Sequence, residues 1–167
     1  MPPMPAMPIA TSAYDIVLAI HVMAVVVAFG VTFAYPIMFA VTSRYGVRSL
    51  PLVHRIEYTI ERVLINPGLA LVLVAGIFLA SDGHHWSEFF VQWGIGAVIV
   101  IGALTGSVMI PTAKRAAQIA ERDIAAAGPG DLEMSNEYQA LARRLATVGS
   151  LLSALVLITI LFMATKP

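Results

Sequence analysis

The sequence predicts an all-α protein: a bundle of four transmembrane helices with both termini on the outer face of the membrane. Three observations carry this. The chain has four long apolar runs, charged residues make up only 12% of its 167 positions, and nine of its ten basic residues lie in alternate connections. A soluble domain of this length would carry roughly a quarter charged residues, so little polar surface is on offer to water. Hydrophobic residues make up 59% and the mean hydropathy is +0.84. Crossing a ~30 Å hydrocarbon core takes about 20 predominantly apolar residues, and each run is of about that length or longer.

The segment 1–13 holds four prolines and no charge. It lacks the basic start of a secretory signal and is expected to be a disordered lead into the membrane domain, 14–167. The first span is expected at about Tyr14–Val41 and is long enough to tilt. The stretch Thr42–Arg62 then sets Arg44, Arg48, Arg55 and Arg62 against Glu57 and Glu61. The second span, about Val63–Ala80, opens on Asn66-Pro67-Gly68, where the proline removes a backbone donor and favours a kink. A polar turn, Ser81 to His85, leads to the third span at about Phe89–Ile110. Trp86 and Trp93 near its start fit an interfacial aromatic belt. Thr112–Ala127 reads as an amphipathic helix stopped by Gly128-Pro129-Gly130. A further polar helix begins near Asp131 or Ser135 and runs into the fourth span, about Leu145–Ala164.

Nine of the ten Lys and Arg lie in the first and third connections, and only Lys166 follows the fourth span. The positive-inside rule places those connections in the cytoplasm, including the helical one between spans three and four. Small residues recur at close-packing spacing, as Gly102/Gly106 and Gly149/Ser153, because helix backbones approach closely where side chains are small. Both a dimer seam and a contact within one bundle fit that spacing.

The absence of cysteine removes disulfides, thiolate metal sites and cysteine nucleophiles. Zero net charge gives no field for nucleic acid. No P-loop, dinucleotide turn, HExxH or GxSxG is present. His21 is the one strongly ionisable side chain well inside an expected span, roughly 9 Å below the helix start at 1.5 Å per residue. Buried ionisable groups are costly in lipid and face the bundle or a cavity. His21, Ala24, Ala28, Thr32 and Tyr35 share one small, polar face directed inward. A haem or metal ligand, a proton-transfer group, and a neutral histidine bonded to a neighbouring helix all fit His21. His84 and Asp82 lie in the same leaflet, and imidazole with carboxylate suits zinc or copper(II). This makes His21, His84 and Asp82 the candidate metal set. Met163 offers a His/Met alternative for haem. His54 lies towards the opposite side and cannot share an ion with His21.

His21, Gly30, the proline of the second span, Trp86, Trp93, and Pro111 followed by Lys114-Arg115 together resemble a bacterial family. It is the predicted integral membrane proteins grouped as domain of unknown function 2269, and the resemblance covers about Asp15–Ala164. More distantly the layout is similar to copper-resistance D type proteins and the four-helix, haem-binding protoporphyrinogen oxidase. Those likenesses imply a ligand role for an early first-helix histidine, matched here by His21, with haem b or copper as cofactor. This chain lacks the second histidine within a span. Few buried polar groups and many small residues make the expected role a non-enzymatic accessory or structural subunit of a larger assembly, or a homo-oligomer, in the bacterial cytoplasmic membrane. The alternative is a haem- or copper-binding redox or metal-handling protein using His21. A transporter is disfavoured by the scarcity of polar groups in the expected spans, which are His21, Asn66 and Gln92.

Overall fold

The computed structural model describes residues 12–128 and 132–167, apart from the side chain of Ser43. The proline-rich lead expected over 1–13 therefore lies almost wholly outside the described residues, as do Pro129, Gly130 and Asp131. The described chain is all helix and turn. Its helices are α1 (Ala13–Gly30), α2 (Tyr35–Tyr45), α3 (Leu50–Ile60), α4 (Asn66–Asp82), α5 (Phe89–Leu104), α6 (Ile110–Ala127) and α7 (Asn136–Thr165). They join into four rods, Ala13–Thr42, Val47–Asp82, Phe89–Ala127 and Asn136–Thr165, each long and apolar enough to cross a membrane.

The first and fourth rods start where the sequence supplies caps. Ser12 accepts from the Asp15 N–H while the Asp15 carboxylate accepts from the Ser12 N–H, a reciprocal pair that satisfies two otherwise orphaned donors. Ser135, one of the two starts the sequence allows, caps α7 by accepting from the Tyr138 N–H. The first and third rods end at glycines that supply positive φ: Gly46 at +119° and Gly128 at +64°. The stretch expected as a first connection is itself mostly helix, because only Gly46 interrupts it and α3 runs straight on into α4.

Both middle rods carry the same local defect. Glu61–Ile65 and Thr105–Met109 are wide π turns, in which the Asn66 N–H reaches the Glu61 carbonyl and the Ile110 N–H reaches the Thr105 carbonyl. In each case a proline, Pro67 or Pro111, stands six residues after the start of the wide turn. Proline offers no N–H to the carbonyl four residues earlier and its ring crowds that carbonyl. Widening the preceding turn relieves the clash while the rest of the ladder stays bonded. In the first rod the break ahead of Pro36 is a tighter 3-10 turn, Val31–Ala34.

Side chains sort as lipid immersion requires. Val26, Ile37, Val63, Val74, Ile99 and Leu151 are large apolar residues turned outward, a surface water would not tolerate over this extent. Ala24 and Ala28 are buried and His21, Thr32 and Tyr35 partly so, which agrees with the inward face expected for the first rod. Two rods approach closely at Gly68, where an added Cβ would lie 2.5 Å from the Cβ and 3.5 Å from the Cα of Ala28. Gly102 and Gly106 have open space where a Cβ would stand, so the packing contact within one bundle that their spacing allowed is not made. One core gathers Ala28, Phe29, Ile65, Leu69, Ile101 and Val156; another, at the end bearing the basic connections, gathers Leu50, Met109, Ala113, Ala116, Tyr138 and Leu145. Gly68→Leu should therefore lower the thermal midpoint in detergent, by an overpacking cost of about 1–3 kcal/mol. Gly102→Leu should leave the midpoint unchanged when both are followed by fluorescence-detected size exclusion after heating.

Candidate functional site

The most deeply buried ionisable groups are not on the first rod. His54, Glu57 and Glu61 are exposed by 0%, 2% and 2% and are the largest fully enclosed side chains. They stand three and then four residues apart, so the helix brings them onto one face, continuous through the wide turn. Arg55 and Arg62 point outward from the same stretch, to Glu121 and Tyr58 respectively. The basic connection is thus positive outside and acidic within.

His54 is clamped at both ring nitrogens. Its Nδ1 lies 3.0 Å from Glu57 Oε2 and its Nε2 lies 2.9 Å from the Tyr138 hydroxyl. A carboxylate can only accept, so Nδ1 carries a proton; in the neutral ring Nε2 then accepts from the Tyr138 O–H. Phe39 and Tyr138 flank the ring, with centroids 5.1 and 5.7 Å away. Tyr138 is held by the capped start of α7. There Arg122 and Arg115 both reach Glu137, and Asp123 accepts from the Ser135 N–H. The exposed ion pairs contribute little each, but together they fix where α7 enters the bundle and hence where Tyr138 stands.

Glu61 differs from Glu57. Its Oε2 is buried without a hydrogen-bond partner, and so is the hydroxyl of Tyr35. Both residues line a cavity of about 720 Å³ that all four rods enclose. The 3-10 turn and both wide turns contribute to its wall through Thr32, Glu61, Thr105 and Met109. Most of the remaining surface is aliphatic or aromatic, with Ser150 and Ser153 on the α7 side. Phe33 and Leu157 at its edge are 41% and 54% exposed, so the cavity opens sideways between the first and fourth rods.

His21 belongs to a second, smaller cavity of about 180 Å³ at the other end of the bundle. Its Nδ1 lies 3.0 Å from the Val72 carbonyl. A carbonyl accepts, so Nδ1 carries the proton and Nε2 is left with a free lone pair. His85, Met163 and Lys166 line the same cavity. His84 does not: it is exposed, with φ +57°, and its ring reaches back 3.1 Å to the Asp82 carbonyl. Asp82 is exposed as well. Among the described residues no three His, Asp or Glu converge in a metal-holding group. Nor does His54 offer a ligand, since both its nitrogens are engaged. Trp93, read as a belt residue, donates to Thr159 at 3.1 Å and stacks edge-on to Phe162, tying α5 to α7.

The cluster missed by sequence reasoning carried a signal, the His-x-x-Glu-x-x-x-Glu spacing of one helical face. Tyr138, distant in sequence, carried none. Comparison of the chain with protein families, with curated proteins and with solved structures gives no match. Tyr138→Phe removes the donor to His54 while keeping the ring, so it should destabilise the protein by about 1–3 kcal/mol, the cost of one buried unpaired group. Tyr58→Phe, at a partly exposed hydroxyl, should cost less in the same detergent unfolding assay.

Proposed function

We propose that the chain is a multi-pass protein of the bacterial cytoplasmic membrane that binds a small molecule in the larger cavity. The molecule would have an apolar body and a hydrogen-bonding head. The basic connections face the cytoplasm on the charge asymmetry, which sets this cavity towards the inner leaflet. One observation carries the reading: Glu61 Oε2 and the Tyr35 hydroxyl are buried, unpartnered, and on the wall of one largely apolar cavity. Ligand sites are typically about 300–1,000 Å³, mostly apolar, with a few polar groups that fix orientation. An unpaired buried polar group costs about 1–3 kcal/mol, and a ligand that bonds both recovers that cost as affinity. Ionisable groups buried at membrane depth mark functional sites by default.

An accessory role within a larger assembly remains compatible with this. Its ground in the sequence was a scarcity of interior polar groups, and the burial of His54, Glu57 and Glu61 changes that premise. Native mass spectrometry of gently solubilised protein should show a bound small molecule that is absent from Glu61→Leu. A panel of membrane-soluble metabolites should raise the thermal midpoint of the wild type only. No adduct and no shift in either protein would sink the reading.

A second reading rests on the free Nε2 of His21. The 180 Å³ cavity is below the range for organic ligands, so haem b does not fit there. A copper(I) ion does fit by donor chemistry, because imidazole from His21 and His85 and the Met163 thioether all line the cavity and suit that metal. Metal analysis should then find stoichiometric copper lost in His21→Leu, and a metal-free wild type after copper loading would exclude this reading.

A further inference from the structure

Resting on the reading that the larger cavity holds a small molecule, we infer that its occupant is an organic cation, a primary amine or related ammonium on an apolar body. Charge points this way first. Two carboxylates, Glu57 and Glu61, line the cavity, and no lysine or arginine does. Glu57 is matched by His54, whereas Glu61 has an oxygen with no partner. A buried carboxylate is costly unless it is neutralised or paired with a cation. An ammonium head supplies both the missing charge and up to three N–H donors, enough for Glu61 Oε2 and the Tyr35 oxygen together. An alcohol supplies one donor and no charge, and a carboxylate head adds repulsion.

The walls fit the same class. Phe29, Phe33, Phe39 and Tyr35 line the cavity, and aromatic faces attract cations most strongly where water is excluded. The sideways opening at Phe33 and Leu157 lets the apolar body lie against lipid while the head stays at Glu61. That geometry suits a free amphipathic amine and also the amine of a lipid headgroup whose chains remain in the bilayer. Two sources therefore share one chemistry.

The test compares three probes with one body, 4-phenylbutylamine, 4-phenylbutanol and 4-phenylbutyrate. Each is titrated into the full chain in an uncharged maltoside micelle by isothermal calorimetry. The amine should bind saturably and at least about tenfold more tightly than the alcohol, as expected for one charge-assisted bond. The butyrate should not bind, and Glu61→Gln should bring amine and alcohol to within about twofold of each other. Equal affinities for amine and alcohol in the wild type would overturn the cationic class while leaving the cavity as a small-molecule site. Saturable binding of none of the three would overturn both. If Glu61→Gln does not elute as folded protein, the three-probe comparison in the wild type still decides, with Tyr35→Phe expected to weaken the amine. Adding phosphatidylethanolamine, against phosphatidylglycerol as control, separates the sources. Competition by the former alone marks a lipid headgroup, and no competition marks a free amine.

Discussion

In hydrocarbon every backbone donor and acceptor must be satisfied within the protein, and the arrangement of this chain follows from how it meets that demand around its prolines. Pro36, Pro67 and Pro111 each stand inside an apolar rod and each withhold an N–H. The chain answers with a 3-10 turn before the first and wide π turns before the other two. These repairs change helix width and direction without leaving the ladder open. All three repaired turns face the same cavity, so the defects that proline imposes are also what separate the rods there.

The polar cluster exploits that separation. Glu61 and Thr105, the first residues of the two wide turns, are both buried and both reach the cavity. Below them His54 is held between Glu57 on its own helix and Tyr138 from α7, which binds the second and fourth rods through side chains rather than backbone. The alanine face of α6, with Ala113, Ala116 and Ala120 fully enclosed, lets α3 approach closely enough for His54 to lose all contact with solvent. Close packing and buried charge thus depend on one another. Larger residues on α6 would hold α3 away, and water would then reach His54.

The four rods, the start of α7 at Ser135, and the inward face from His21 to Tyr35 were legible in the sequence because apolar periodicity and turn chemistry report directly on helices. The site was less so. Counting charges by segment marked Thr42–Arg62 as a solvated basic connection, and that is correct for Arg55 and Arg62. It is wrong for His54, Glu57 and Glu61, which share the opposite face; a helical wheel of the same residues separates the two sets. Nothing local could have revealed that the Tyr138 hydroxyl meets His54, since that contact depends on how two rods cross. His84 and His85 show the limit at its sharpest. Adjacent and chemically identical, they diverge because the positive φ at His84 turns one ring outward and leaves the other on the cavity wall.

The two cavities also bear on what the larger one can do. Phe29, Ile101 and Val156 line both of them, and all three are buried within one core cluster. A single apolar layer therefore separates the Glu61 site from the His21 end. Moving a charge through such a layer means stripping it of every polar contact, which is prohibitive without water or a partner group. In this conformation a molecule at Glu61 is reached from the side, at Phe33 and Leu157, and not from the far end. The same layer isolates His21 from His54 and leaves the chain with two chemically distinct ends. On the proposed reading the protein holds its occupant rather than offering an open path, and the buried carboxylates act as a fixed receptor rather than as steps along a channel.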